Sequence, residues 1–401
     1  MRVAVVGSGV AGLGAAYVLS RAHEVEVFER EARPGGHVNT VSVDGLALDT
    51  GFLVHNERNY PLLGRLFAEL GMRTQESDMS FSVSCRDCGL EYAGRRPFAQ
   101  ARNAASARFH VLLWEIGRWL RTARRSLDEQ DLDGWSLGRY LDEHGYSQRI
   151  RRHFLVPLTS ALWSAEPARA LELPAGYAIR FFDNHGMLGF RRFRWRSVVG
   201  GSRTYVDAVA ERLGGVRTGL PVRSVRRGPD RVLVRTADGA AHRFDRVVVA
   251  THADQALALL EDPTDEERRL LGAFSYTAND AVLHTDASFL PRAKAARASW
   301  NYRMNGAARP TVTYWLNSLQ RLDAERDYLV TLNEDVPEEH VRGRFRYSHP
   351  HFTVEAIAAQ RHLPQLARGR TVFAGAYHGN GFHEDGLASG VRAAAALGVR
   401  W

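Results

Sequence analysis

This chain of 401 residues has only two cysteines, a single lysine and no long apolar run. The cysteines, Cys85 and Cys88, form one CxxC in SVSCRDCGLEY. Zinc takes four ligands and there is no second cysteine pair, so no metal site is read. Alternation on both flanks makes the pair a tight hairpin turn carrying two thiols, and a redox disulfide is the other reading. No apolar stretch approaches the length of a membrane-spanning helix. The opening MRVAVVG lacks a charged n-region followed by an apolar h-region, and the expected location is the cytoplasm. The lack of repeats and low-complexity tracts excludes solenoid and disordered classes. Lys294 apart, every basic residue is arginine, a bias of GC-rich coding more than of chemistry. The net charge of +8 is dispersed; it lends weak support to anionic partners such as phosphates or lipid headgroups and none to nucleic acid. What remains, 45% hydrophobic and 24% charged residues, is the composition of a soluble globular protein long enough for two or three domains.

The N-terminal stretch VAVVGSGVAGLGAAYVLSRAHEVEVFERE reads as strand, glycine turn, helix, strand. Val3 to Val6 form an apolar run of the kind buried in a parallel sheet, and EVEVFER supplies the next strand. Between them Gly7, Gly9 and Gly12, with Ser8, Val10 and Ala11, spell GxGxxG. Gly7 permits the sharp turn, Gly9 lets a pyrophosphate approach the backbone and Gly12 lets helix and strand pack closely. The helix N-terminus aims free N–H groups at the phosphates. Glu29, followed by Arg30, ends the second strand, where a carboxylate accepts hydrogen bonds from an adenosine ribose. That acid argues against NADP and leaves NAD and FAD open.

A second glycine pair follows in EARPGGHVNT, and the chain continues LALDTGFLVHN. Closely spaced glycines returning to one site suit an extended ligand with a second, bulkier end. Arg33, Gly35 and Gly36 after a GxGxxG unit resemble the signature of the flavin-dependent amine oxidase and phytoene desaturase superfamily. The resemblance implies an α/β fold in which an FAD-binding Rossmann-type, glutathione-reductase-like domain sits beside a mixed α+β substrate domain, the amine-oxidase-like two-domain architecture, with FAD held non-covalently. It also implies that the arginine-glycine-glycine turn, with His37, lies along the FAD diphosphate. The stretch Asp49 to Val54, with Gly51, Phe52 and Leu53, would pass the flavin ring.

The tail FAGAYHGNGFHEDG, residues 373–386, carries two histidines, two acids and four glycines. RTVFAG is a strand running into a turn, and DGLASGVRAAAALG a helix with Asp385 as N-cap. The resemblance implies that the turn at Gly375 and Ala376 lies near the ribityl chain and that the helix N-terminus faces the flavin pyrimidine. Unpaired N–H groups of Gly386 and Leu387 would there stabilise negative charge on the reduced ring. Tyr377 and Phe382 would shape the face of the ring. His378, His383 and Glu384, in that order, are the candidates for a catalytic base; hydrogen bonding to backbone or cofactor is the competing role. Their spacing is unlike the helical HExxH metal pattern. Two departures stand out. Ala376 replaces the acid that many relatives carry after Ala-Gly, and Lys294, in the polar stretch LPRAKAARAS, is no good candidate for the lysine typical of amine oxidases, which demotes amine oxidation.

In the middle of the chain, VVGGSRTYVDAVAERLGG reads as a helix entered through a glycine turn, and VRTGLPVRSVRR as a strand whose Val222 the resemblance sets beside the adenine. FDRVVVATHADQALALL adds a buried strand and a helix. The FAD-binding domain is then discontinuous, 1–59, 200–255 and 365–401, and 60–199 with 256–364 form the substrate domain. Its first segment is largely helical, as in ARFHVLLWEIGRWLRTARRSL, and its second alternates like an antiparallel sheet, as in PTVTYWLNSL. Trp300, Tyr314 and Trp315 fall on these strand-like pieces, where alternate members line a cavity over the flavin or pack in the core. The stretch RFFDNHGMLGFRRFRWRSVVGG, residues 180–201, mixes aromatics with arginines as a substrate gate, a membrane-surface contact or a twisted strand with a solvated face.

LDTGFLVHNERNYPLL, HADQALALLEDPTDEE, TYWLNSLQ and AGAYHGNGFHEDGLASG together resemble, over essentially the whole chain, the predicted NAD/FAD-binding proteins encoded beside cyclopropane-fatty-acid-synthase-like methyltransferases. The resemblance implies a flavoprotein of fatty-acyl modification. The expected function is hydride transfer from an apolar, fatty-acyl or lipid-linked substrate to FAD, of desaturase or dehydrogenase type. Peripheral contact with the inner membrane face and a lipid methyltransferase partner go with that expectation. The alternatives are a flavin amine oxidase, a non-redox isomerase of acyl double bonds, and a non-catalytic FAD-binding partner.

Overall fold

Four parallel strands, in the order Thr371–Phe373, Arg246–Val249, Arg2–Val6 and Glu24–Phe28, make the sheet that carries the glycine motif. The computed structural model describes residues 1–128, 132, 134–189, 193–306 and 311–401. The parallel strands are apolar on both faces because both are covered. Val3, Val5, Val27, Val248 and Val372 pack under the helices Val10–Leu19, Arg203–Arg212 and His383–Ala396. Ala4, Val6, Phe28, Val247 and Val249 pack against an antiparallel meander, Val222–Arg227, Val232–Thr236 and Ala241–Phe244.

A second, seven-stranded sheet runs in the order Val341–His351, Ser275–His284, Leu329–Leu332, Thr311–Trp315, Trp300–Met304, Phe81–Cys85 and Glu91–Ala93. Every pairing is antiparallel except that between Trp300–Met304 and Phe81–Cys85. Register puts two rows on one face: Phe81, Trp300, Tyr314, Val330 and Leu283, then Val83, Tyr302, Val312, Leu332, Ala281 and Phe345. Alternation sends the polar residues to the other face. There Ser82 Oγ donates to Asn301 Oδ1 at 2.8 Å, and Thr313 and Thr331 pair through their hydroxyls at 2.8 Å. The apolar face packs on Leu48, Leu53 and Val54 and, toward the edge strands, on Ala161 of the helix Val156–Trp163. The segment passing the glycine turns is therefore roofed by this sheet.

The aromatic and arginine-rich stretch 180–201 is not one strand. Its start completes the helix Ala175–Asn184 and its end is the strand Trp195–Val198, while Phe190, Arg191 and Arg192 lie outside the described residues. The long helix Ala107–Arg125 begins at Ser106, whose hydroxyl accepts from the Phe109 N–H. Among the described residues, no helix is long and apolar enough to cross a membrane.

Candidate active site

The three glycines of the first turn have different reasons to be glycine. Gly7 has φ 98°, the left-handed region, and a Cβ there would stand 2.8 Å from Ala250 O. At Gly12 a Cβ would meet Gly7 O at 1.9 Å, so helix and turn touch by backbone. Gly9 differs: its φ of −65° suits any residue, and a Cβ there would find no protein atom within 4 Å. Ser8 is fully buried and ties the turn to the second strand, since its N–H and its hydroxyl both donate to Glu29 Oε2, at 2.9 and 2.6 Å. Glu29 Oε1 accepts from the Glu31 N–H at 2.9 Å. A carboxylate has about four acceptor positions, so capacity for a ribose hydroxyl remains. Arg30 is exposed and pairs with Glu31. The Leu220 N–H donates to Glu29 O at 2.9 Å, which brings the start of the strand at Val222 to the same end of the sheet.

The second glycine turn docks on the first. The Gly35 N–H donates to Ser8 O at 3.0 Å, and a Cβ on Gly36 would lie 3.2 Å from Gly9 Cα. Arg33 does not point its guanidinium freely at a phosphate; it donates to Val38 O at 2.9 Å and to Gly36 O at 3.0 Å, and so holds the turn in shape. His37 follows, with a ring nitrogen 3.1 Å from Ser348 O and its ring against Tyr347 and His349. Farther along, a Cβ on Gly51 would meet His37 O at 1.9 Å. Thr50 and Asn39 both hydrogen-bond the Tyr347 hydroxyl, at 2.7 and 3.1 Å. Asp49, fully buried, accepts from the Ser202 N–H, the Ser202 hydroxyl and the Thr40 hydroxyl, and burial still pushes its carboxyl up to about 6.

At the C-terminal turn the sequence reading of the helix start is corrected. The helix runs His383–Ala396, with Phe382 at the N-cap, and Asp385 sits inside the first turn, accepting from the Phe382 N–H at 2.9 Å. The Gly386 N–H donates to Phe382 O at 3.1 Å. Gly386 and Leu387 are therefore helix-interior donors, not the unpaired groups expected, because starting three residues earlier moves the free N–H groups to His383, Glu384 and Asp385. The convergence on the first turn is direct: a Cβ on Gly386 would approach Val10 Cγ1 at 2.7 Å and both Ala11 N and Ala376 Cβ at 3.9 Å, and Leu387 packs against Gly14. The Gly375 N–H donates to Ser389 Oγ at 2.8 Å.

The three base candidates diverge. His383 stacks on Phe52 at 4.0 Å and 15°, and its Nε2 lies 2.6 Å from the buried Tyr205 hydroxyl; burial drives its ring down to about 3, with His37 and His55 adding to the effect. His378 packs on the Tyr377 ring at 4.7 Å, its Nε2 is buried without a partner, and burial drives it to about 3, with Arg392 adding. Glu384 accepts from the N–H groups of Leu62 and Leu63, at 2.8 and 3.0 Å. Both its oxygens thus close the N-terminus of the helix Pro61–Leu70, where Tyr60 offers no side-chain cap.

Of the cavity residues, Trp300 and Tyr314 meet edge to face at 4.9 Å on the apolar side of the large sheet. Trp315 does not join them: one residue on, it lies on the opposite face, where its Nε1 donates to Asp327 at 2.9 Å. Tyr377 is 1% exposed and packed on Phe274, a core position and not a cavity wall. Phe382 stacks on Phe181 at 4.9 Å, beside Trp163. Sequence reasoning missed His252, whose ring stacks on Tyr276 at 4.3 Å and approaches His37 at 6.1 Å. Its signal was its place just past the parallel strand Arg246–Val249, since the carboxyl ends of such strands border the ligand crevice.

These residues fit FAD. Gly9 is the one turn glycine that neither conformation nor packing explains, and the chain leaves the space before it free at the N-terminus of the helix Val10–Leu19. Residues 10–398 match the family described as flavin containing amine oxidoreductase. AofH of Mycobacterium tuberculosis, assigned as a flavin-containing monoamine oxidase, is 30% identical over 278 residues, which are 65% of this chain and 59% of its own length. Protoporphyrinogen oxidase 2 of Arabidopsis thaliana is 46% identical over 76 residues, 19% of this chain and 15% of its own. The aligned part covers less than two thirds of either relative. Among solved structures, putrescine oxidase bound to putrescine superposes with a TM-score of 0.73 at 16% identity, over 99% of both chains. The CLA-producing fatty acid isomerase from P. acnes does so with a TM-score of 0.72 at 16% identity, over 97% of this chain and 96% of its own. At that identity the likeness is one of fold. The match along nearly its whole length makes this chain a member of the flavin-containing amine oxidoreductase family, with FAD as its cofactor.

Proposed function

We propose that this chain is an FAD-dependent oxidoreductase of the dehydrogenase or desaturase type that takes hydride from an apolar, fatty-acyl or lipid-linked substrate. Bound FAD supplies the two-electron acceptor. Non-covalent attachment agrees with the position of both cysteines in the hairpin around residues 81–93, away from the glycine turns. Residues 1–59, 200–255 and 365–401 serve the cofactor in this reading, and 60–199 with 256–364 serve the substrate.

The observation that carries the reading is the inner face of the large sheet, whose two rows from Phe81 to Phe345 contain no charged side chain. An acyl chain laid against the partly exposed members of that face, Phe81, Trp300, Tyr314 and Phe345, gains roughly 25 cal/mol per Å² of apolar surface buried. A cationic amine laid there would meet no carboxylate from those rows. Lys294, the one lysine, is exposed on the turn Lys294–Ala296. His383, kept neutral by burial and oriented by Tyr205, and His378, with its free buried nitrogen, are the candidate bases, and burial makes both weak ones. Glu384 holds a helix instead.

A lipid substrate implies a lipid surface. On the helix Ala107–Arg125, Val111 and Trp114 are 51% and 61% exposed and share a helical stripe with Arg118, Arg121 and Arg125. Apolar bodies beside guanidinium groups suit an anionic membrane face. A lipid methyltransferase partner would supply methylated chains. A second reading, isomerisation of acyl double bonds without net oxidation, is favoured by the likeness to the P. acnes fatty acid isomerase.

Anaerobic mixing of the FAD-loaded protein with vesicles of phospholipids carrying unsaturated, methylated or cyclopropane acyl chains tests both. Bleaching of the oxidised flavin band supports the redox reading. Double-bond migration without net bleaching supports isomerisation, and bleaching by amines alone sinks both.

A further inference from the structure

No further ligand for the CxxC pair is visible in the amino-acid order, but the fold brings one. Cys85 ends the strand Phe81–Cys85 and Cys88 stands in the turn that follows. The sulfur atoms of both and a ring nitrogen of His153 all lie within 4.8 Å of one another. His153 belongs to the π-helical stretch Arg151–Leu155. Such wide turns are rare and are frequently found at functional sites. The Tyr92 hydroxyl, on the returning strand of the hairpin, donates to His153 O at 2.6 Å and fastens this stretch to the hairpin.

Three features of the cluster match a thiophilic cation. Backbone N–H groups of Asp87 and Cys88 are directed at the Cys85 sulfur. The His153 Nδ1 is shielded from solvent and has no hydrogen-bond partner. Gly89, at φ 71°, turns the chain back immediately after the second cysteine.

We propose that Cys85, Cys88 and His153 bind Zn²⁺, with the fourth position open to water beside the exposed Cys88. Binding forms two Zn–S bonds and one Zn–N bond and releases two thiol protons to solvent. The ion would clip the edge hairpin of the large sheet to the helical segment that packs on that sheet's apolar face. It is separate from the flavin chemistry and stands or falls independently of the substrate assignment.

The test uses the full-length, FAD-loaded protein, reduced, stripped with a chelator and titrated with Zn²⁺ and, separately, with Co²⁺. The expected result is uptake of one equivalent and, with Co²⁺, a thiolate-to-cobalt charge-transfer band with the visible absorption of a tetrahedral site. Cys88→Ser and His153→Gln should each lose stoichiometric uptake while retaining flavin, whose absorbance reports that the variant is folded. Variants that bind metal like the parent chain would overturn the assignment. So would a reduced protein that ignores both metals yet closes a Cys85–Cys88 disulfide in air.

Discussion

A Cβ placed on Gly390 would stand 2.1 Å from the carbonyl oxygen of Ala11. The last helix of the chain thus meets the first at backbone contact, and Gly14 against Leu387 extends the seam. Flanking the glycine turn with these two helices is what joins the ends of the chain into one site. Gly390→Val forces backbone apart and should destabilise the FAD-free protein by about 3 kcal/mol or more, read as a lowered Tm, with flavin retention falling alongside.

Gly9→Ala should do the reverse. Its backbone suits alanine and no protein atom opposes a methyl group, so the FAD-free stability should stay within about 1 kcal/mol of the parent. Flavin content after purification should nevertheless drop sharply, because the methyl group fills space the pyrophosphate needs. Unchanged flavin content would contradict the phosphate-turn assignment.

Glu384 is expected to act on stability and not on chemistry. Glu384→Gln replaces one of two acceptor oxygens facing the Leu62 and Leu63 N–H groups with a donor. The cost should be about 1–2 kcal/mol by denaturant unfolding, with the rate of flavin reduction near that of the parent. A loss of about 100-fold or more in that rate at unchanged stability would restore it as a general base.

Acid should weaken the FAD-free protein through its histidines. Burial pushes His252, His349, His378 and His383 down to about 3, and His55 and His284 to about 4. Below the ordinary value of about 6.5 the unfolded chain binds protons that the folded chain refuses. Stability is therefore lost as pH falls from about 6.5 toward 4, by up to about 1.4 kcal/mol per pH unit for each such group. Asp49, raised to about 6, works oppositely below that pH, as do Glu384 and Asp385, which burial also raises; they are outnumbered, because burial lowers His37, His153, His185 and His351 as well. A Tm measured from pH 7 to pH 4.5 should fall steadily, and His383→Asn should make the fall shallower; a flat profile would refute the buried, neutral state of these rings.

Much of the fold and of the geometry of the candidate cofactor site was legible in the amino-acid order. The turn at Gly7 to Gly12, the acid at Glu29 and the second turn at Gly35 and Gly36 act through backbone conformation within some thirty residues, so spacing alone reports them. Strand alternation likewise announced that Trp300, Tyr314 and Trp315 could not all face one way. It could not say which face was inner, since that depends on what packs beneath: Leu48, Leu53 and Val54 cover the side of Tyr314 and leave Trp315 to Asp327.

Only tertiary structure assigned the polar side chains. His383 and Tyr205, Glu384 and Leu62, Asp49 and Ser202, and the CxxC pair and His153 are far apart in the chain and share no local signal. A carboxylate or imidazole satisfies its hydrogen bonds with whatever donor the packing delivers, and any of many partners would look the same in a sequence window. Chain order determined the glycine turns because their conformations are local. Register and packing decided which histidines and acids remain available for chemistry, because burial and pairing are set by contacts between distant segments.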